Sequence, residues 1–263
     1  MDFSDRPLRH ALAIDCSTDR LSLALAVGAL PSPGATCWGE PALLSFEGEG
    51  SAKASTNLLP EVLALLAQAG LRVQDLGVIA YGRGPGAFTG LRTACSATQG
   101  LAFGAGDVPV VGVDSLMAVA QQARLDGTRA TTITALLDAR MDEIYAATYH
   151  FDGALLPAQV PLAVANPSLI SPDHVGAYVS EHQPGVDRPA LSGNTQGVYG
   201  PRWTQAPWVA NHVAALPTAV AMLHLLPALW AAGQATDAAM AMPVYVRDQV
   251  ALTTAERAAL KPV

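Results

Sequence analysis

Apolar and polar positions along the chain change period several times. ALAID (11–15) and LSLALAV (21–27) are short apolar runs separated by the polar stretch CSTDR, a pattern that predicts two strands joined as a hairpin. Residues 28–55 are rich in proline, glycine and serine and predict a loop around one further strand near Ala42–Phe46. The period then becomes helical. In NLLPEVLALLAQAG, Leu58, Leu59, Val62, Leu63 and Leu66 recur at helical spacing, with Asn57 placed to cap the start and Gly70 to end the last turn. LGVIAYG (76–82) predicts a buried strand, Thr89–Phe103 a helix of mostly small residues, and PVVGVD (109–114) another strand. Gly90, Ala94, Ala97 and Gly100 in the second helix allow another element to approach closely.

The stretch YGRGPGAFTGLR (81–92) sits between a predicted strand and a predicted helix and holds four glycines. Such a loop either points backbone N–H groups at a phosphate or lets two backbones meet. Pro85 removes one donor, so the glycines are expected mainly to shape a tight turn that sets the angle of the helix. GRGPGA also satisfies G-x-G-x-x-A, with Asp107 and Asp114 downstream at roughly the spacing of a ribose-binding acid. That dinucleotide reading is weakened by Pro85 and by the hairpin that precedes the strand. No Gly-Lys-Ser/Thr follows the loop, and no G-x-S-x-G occurs, so a P-loop and a nucleophile elbow both lack a motif.

Comparing the chain with itself adds a second pattern. ALAIDCSTDRLSL aligns with TALLDARMDEIYA so that Asp138 falls on Asp15 and Asp142 on Asp19, each 123 residues on. The spacing is too long for a solenoid repeat and predicts two similar lobes, each opened by a hairpin with an Asp at its strand end. Asp15, Ser17, Thr18, Gly84, Gly86 and Asp138 are then candidates to line a nucleotide cleft between the lobes. The same Asp and Ser side chains also suit the satisfaction of turn N–H groups, and both readings stand at this point.

Composition narrows the class. With 51% apolar and 14% charged residues in 263, the chain can pack a sizeable core. A net charge of −7 argues against nucleic-acid binding by its own field, so contact with RNA would need a basic partner. Cys16, Cys37 and Cys95 form no CxxC pair and the six histidines are scattered, which gives a metal site no support and suits a reducing compartment. MDFSDRPLRH has no apolar stretch of a secretory leader, and a cytoplasmic protein is expected. Trp203–Thr236 carries no Asp, Glu, Lys or Arg, but it is alanine-rich and interrupted by His212, Pro217, His224 and Pro227. A buried helix, starting near Pro217, kinked at Pro227 and closed by Gly233, is expected rather than a membrane span.

LAIDCSTDRLSLAL, LLPEVLALLAQAGL, YGRGPGAFTGLRTACSATQGLA, PVVGVDSLMAVA, LLDARMDEIYAATY and PVYVRDQVALTTAER together resemble the bacterial TsaB (YeaZ) family. The resemblance implies an α/β, two-lobed actin-like or Hsp70-like (RNase H-like) fold, with an N-terminal lobe over 1–112 and a C-terminal lobe over 113–263 whose final segment packs back on the first. It implies a non-catalytic subunit of the machinery that makes threonylcarbamoyladenosine in tRNA, dimerising with a TsaD-like catalytic subunit beside a TsaE-like ATPase. A homodimer when alone, and tRNA contact only through the complex, follow from the same resemblance.

In TsaD an HxxxH pair holds a metal, and the corresponding positions here are Ser115 and Val119, neither of which replaces imidazole. No cofactor is therefore expected, with weak ATP or ADP binding as the alternative. Ala54, where the family often has histidine, and a long loop over 28–55 depart from the pattern. A nucleotide-dependent kinase or dehydrogenase using the glycine loop is the competing function.

The helix over 57–69 is apolar around more of its circumference than one stripe needs. Leu59, Leu63 and Leu66 are assigned to the lobe's own sheet. Leu58, Val62 and Leu65, with Leu91, Ala94, Cys95 and Thr98 of the next helix, are assigned to a four-helix contact with a partner. Rotation by one residue exchanges the two stripes.

Overall fold

In the computed structural model, residues 8–35, 42–50, 53–203, 206 and 208–247 are described. Strands β1 (Arg9–Asp15) and β2 (Arg20–Ala29) form the expected antiparallel hairpin, and β3 (Ala42–Glu49) adds to its outer side. Helix α1 (Ala54–Gln68), strand β4 (Val78–Gly84), helix α2 (Phe88–Gly104) and strand β5 (Val110–Asp114) complete the first lobe. Helix α1 begins three residues earlier than predicted, so Asn57 lies inside it and its first turn has no side-chain cap. Helix α3 (Ser115–Leu125) follows, then the hairpin of the second sheet, β6 (Thr132–Arg140) and β7 (Glu143–His150), and β8 (Leu162–Ile170). Helix α4 (Val175–His182), strand β9 (Ala190–Gly193), helix α5 (Thr195–Tyr199), strand β10 (His212–Ala214) and helix α6 (Ala219–Ala231) come next. The short β11 (Ala235–Thr236) returns to pair with β5 in the first sheet.

The two sheets share one wiring plan. Apart from β11, the first runs β5-β4-β1-β2-β3 and the second β10-β9-β6-β7-β8, each strand matched by the one five places later. In both, the hairpin is antiparallel and its first strand also pairs in parallel with a later strand, β4 or β9.

Side-chain size decides what each face of the first sheet packs against. Ala11, Ala13, Ala24, Ala26 and Ala80 face a core shared with α3, α6 and the second sheet. Leu12, Ile14, Leu21, Leu23, Leu25 and Ile79 face α1 and α2. The small face lets α3 and α6 lie between both sheets, which is why α6 is buried nearly all round and its sequence lacks charge. Thr218 caps α6 by accepting from Ala221 N at 3.1 Å, and Ala219 N donates to Ser22 Oγ at 2.8 Å, tying the helix start to β2. Among the described residues no helix is long and apolar enough to cross a membrane.

The glycine loop joins the first hairpin to α2 by backbone contact. Ala87 N donates to Ser17 O at 2.7 Å. A Cβ on Gly86 would lie 2.3 Å from Ser17 O, and one on Gly90 only 1.8 Å from Cys16 O, so neither position admits a side chain without a backbone shift. Gly100, farther along α2, faces open space. Gly90→Ala is therefore expected to destabilise the protein by roughly 1–3 kcal/mol or more. Gly100→Ala should be neutral or add about 0.5–1 kcal/mol from helix propensity. Urea midpoints of the two variants check this; equal effects would contradict the close-contact account.

Candidate functional site

Two surfaces combine the residues singled out by sequence. The first is a cleft of about 440 Å³ between the hairpin turns of the lobes, lined by Ser17, Thr18, Asp19, Gly86, Asp138 and Arg140 among others. Of the six nucleotide-cleft candidates, four line it: Ser17, Thr18, Gly86 and Asp138. Asp15 lies beneath its floor, only 1% exposed. Gly84 faces the C-terminal segment instead, where a Cβ would sit 2.6 Å from Val244 O.

The polar groups of this cleft are largely spent on the protein itself. Asp15 Oδ1 accepts from Ser17 N at 3.0 Å and Ser17 Oγ at 2.8 Å, closing the β1–β2 turn. Asp138 plays the same part in the second hairpin, where its Oδ1 accepts from Arg140 N at 2.9 Å and from the Tyr199 hydroxyl at 3.0 Å. Arg140 also pairs with Asp138 Oδ2 at 3.2 Å. In the glycine loop, Ala87 N is taken by Ser17 O and Pro85 has no N–H. Two of the loop's positions therefore offer a triphosphate no donor, and no Gly-Lys-Ser/Thr follows them, which disfavours a phosphate cradle of the P-loop kind.

Arg140, Tyr145 and Asn194 also line the cleft and escaped the sequence reading. Asn194 Oδ1 accepts from Asp138 N at 2.8 Å, so the turn after β9 holds the end of β6. Its only sequence signal is the Ser-Gly-Asn-Thr punctuation after an apolar run.

The second surface is the outer side of α1 and α2, and here the stripe assignment is corrected. Leu58, Val62 and Leu65 are buried against the first sheet, in one core with Ile14, Leu23 and Ile79. Leu59 and Leu63 point outward, 47% and 53% exposed. On α2 the same rotation applies: Leu91, Ala94, Cys95 and Thr98 are buried, while Arg92, Ser96, Gly100 and Phe103 are exposed. Leu66 is buried, as assigned. The phase follows from the sheet, whose large-residue face needs the i, i+4, i+7 set that includes both Leu58 and Val62. A groove of about 520 Å³ runs between the helices, lined by Leu59, Phe88, Arg92 and Ser96 among others.

Ser115 and Val119, at the positions the family resemblance aligns with metal ligands, are fully buried in α3. Among the described residues no group of three His, Cys, Asp or Glu side chains is placed to hold a metal. Cys37 lies outside the described residues, as does the end of PVYVRDQVALTTAER beyond Arg247.

Two wiring-matched sheets, each opened by a hairpin whose Asp closes its own turn, with helices between and outside them, define a two-lobed α/β protein. Comparisons place it more narrowly. A family model described as TsaD, tRNA N6-adenosine threonylcarbamoyltransferase, matches residues 49–261. The tRNA threonylcarbamoyladenosine biosynthesis protein TsaB of Escherichia coli is 32% identical over 250 residues, covering 91% of this chain and 95% of that protein. YeaZ from Pseudomonas aeruginosa superposes with a TM-score of 0.70 at 33% identity, covering 90% of this chain and 99% of that one. A second Pseudomonas aeruginosa structure, described as similar to peptidase YEAZ, gives 0.71 at 32% identity, covering 91% and 100%. The chain belongs to the TsaB (YeaZ) family.

Burial gives Asp15 a measurable signature. Desolvation, opposed by the Ser17 hydrogen bonds and assisted by Glu47, pushes its carboxyl up from 3.8 to about 7. A carboxyl raised in the folded state contributes its stability in full below the unfolded value and loses it as pH rises through the folded one. The parent should therefore lose roughly 1 kcal/mol or more between pH 5 and pH 8 that Asp15→Asn, which retains an acceptor for Ser17, does not lose. Urea unfolding of both proteins across that range decides it. Parallel pH profiles would contradict the buried-carboxyl account.

Proposed function

We propose that this chain is the non-catalytic subunit of a complex that forms threonylcarbamoyladenosine in tRNA, and that it docks a TsaD-like catalytic subunit on the outer face of α1 and α2. A duplicated actin-like or Hsp70-like framework, split into lobes near the end of β5, is the fold reading that goes with it. Family membership supports the pathway. The observation that carries the docking face is the apolar outer side of two adjacent helices, where Leu59, Leu63, Phe88 and Phe103 are all exposed large side chains. A TsaE-like ATPase as third member, a homodimer in the partner's absence, and tRNA contact only through the complex belong to the same proposal. So does a cytoplasmic location.

The transfer itself is assigned to the partner. Ser115 and Val119 offer no imidazole to a metal, and Asp15 and Asp138, the paired acids of the two hairpins, are tied into their own turns. For the same reason a kinase or dehydrogenase built on the glycine loop is less well supported, and any ATP or ADP binding in the cleft is expected to be weak.

Two measurements test this proposal. With every other component supplied but the catalytic subunit omitted, the purified chain should form no modified adenosine; turnover by the chain alone would contradict the assignment. Val62 is in the core, so a charge there reports on folding. Leu63→Asp instead places a charge on the outer face. This variant should keep its circular dichroism and unfold within about 1 kcal/mol of the parent. Its affinity for the catalytic subunit should drop by a factor of about 100 or more, since a carboxylate desolvated without a partner costs several kcal/mol. Unchanged binding would move the interface elsewhere.

A further inference from the structure

The groove between α1 and α2 is not uniformly apolar. Among the described side chains that line it, Arg92 alone carries a charge. Its guanidinium carbon lies 3.8 Å from the centre of the Phe88 ring, and its Nε donates to the Tyr245 hydroxyl at 3.0 Å. Phe88 and Tyr245 pack against each other with ring centroids 5.1 Å apart and planes tilted by 35°, so two aromatic rings from different parts of the chain hold one exposed guanidinium. No carboxylate among the described residues pairs with it, whereas Arg83, Arg140, Arg202 and Arg247 each pair with an acidic side chain.

The way Arg92 is held leaves one edge for recognition. Nε is spent on Tyr245 and one flat face is covered by Phe88, so the two terminal nitrogens are the donors without a partner among the described residues. Those two nitrogens form the end-on fork that matches a carboxylate in bidentate geometry. The rings also fix the side chain before any partner arrives, which lowers the ordering cost that a long surface arginine otherwise pays on binding.

We infer that Arg92 is a specificity-determining contact of the docking face, and that the catalytic subunit must present an Asp or Glu carboxylate opposite it, inside an otherwise apolar helix contact. This rests on the docking reading above. Leu59, Leu63 and Phe103 supply buried area that any apolar helix could match. Arg92 sets the register: a partner that brings an apolar group to this point strands a charge, and one that brings a cation is repelled. The −7 net charge of the chain makes the position more selective, because a carboxylate approaches an acidic protein favourably only where a local cation has been placed.

The test measures affinity for the purified catalytic subunit at low and high salt, using the full-length chain and the variants Arg92→Gln, Arg92→Glu and Leu63→Asp. All variants are first checked for parent-like circular dichroism. Arg92→Gln keeps an aliphatic stem and a polar head but removes the charge. It should weaken binding by roughly 10- to 100-fold, the value of a charge-assisted hydrogen-bonded pair, and should flatten the salt dependence seen with the parent. Arg92→Glu should weaken it further. If Arg92→Gln and Arg92→Glu both bind within about twofold of the parent, with the same salt dependence, while Leu63→Asp is lost, the face docks the partner but Arg92 does not meet a carboxylate. If Leu63→Asp also binds like the parent, the docking reading itself fails, and this inference fails with it.

Discussion

The backbone of the first hairpin turn and the start of α2 lie against each other with no side chain between them. Ser17 O accepts from Ala87 N, and Gly86 and Gly90 leave room for the carbonyls of Ser17 and Cys16. This contact fixes the direction in which α2 leaves the sheet, and α2 in turn supplies one half of the groove that meets α1. It also uses the loop's backbone for architecture. The glycines of GRGPGA and the placement of the helix pair proposed to dock a partner thus trace to one constraint, the close backbone approach of the loop to the first hairpin turn.

The C-terminal segment adds a second tie over the same loop. Val244 N donates to Arg83 O at 2.6 Å, Tyr245 packs at a tilt against Phe88, and Arg247 pairs with Glu143 in the second hairpin. Gly84 is small because this segment crosses it. One strip of chain therefore touches the root of α2, the aromatic pair that holds Arg92, and the second lobe. At the cleft between the hairpins, Asp138 and one oxygen of Asp15 are tied into their own turns, while the helix face carries exposed apolar side chains and a guanidinium without a carboxylate partner among the described residues.

Much of this was legible in the sequence. The hairpins, α1, α2, the buried α6 and the repeat relating Asp15 to Asp138 all follow from local period and punctuation, because each is set by residues close together in the chain. The phase of α1 was not. With leucine or valine at 58, 59, 62, 63, 65 and 66, periodicity gives the helix but not which side faces inward. That side is chosen by Ile14, Leu23 and Ile79 of the sheet, residues distant in sequence. Arg140, Tyr145 and Asn194 were missed for a related reason, since separate strands and turns bring them together. Tyr245 could not be connected with Arg92 from the sequence, because 153 residues separate them.

On the proposed function, the chain works through its outer helices and not through its cleft. Hydrogen–deuterium exchange of the full-length chain, with and without the catalytic subunit, tests that most directly. Added protection is expected over Ala54–Gln68 and Phe88–Gly104, with exchange in the hairpin turns at 16–19 and 138–142 unchanged. Protection centred on those turns, with the two helices unaffected, would contradict it.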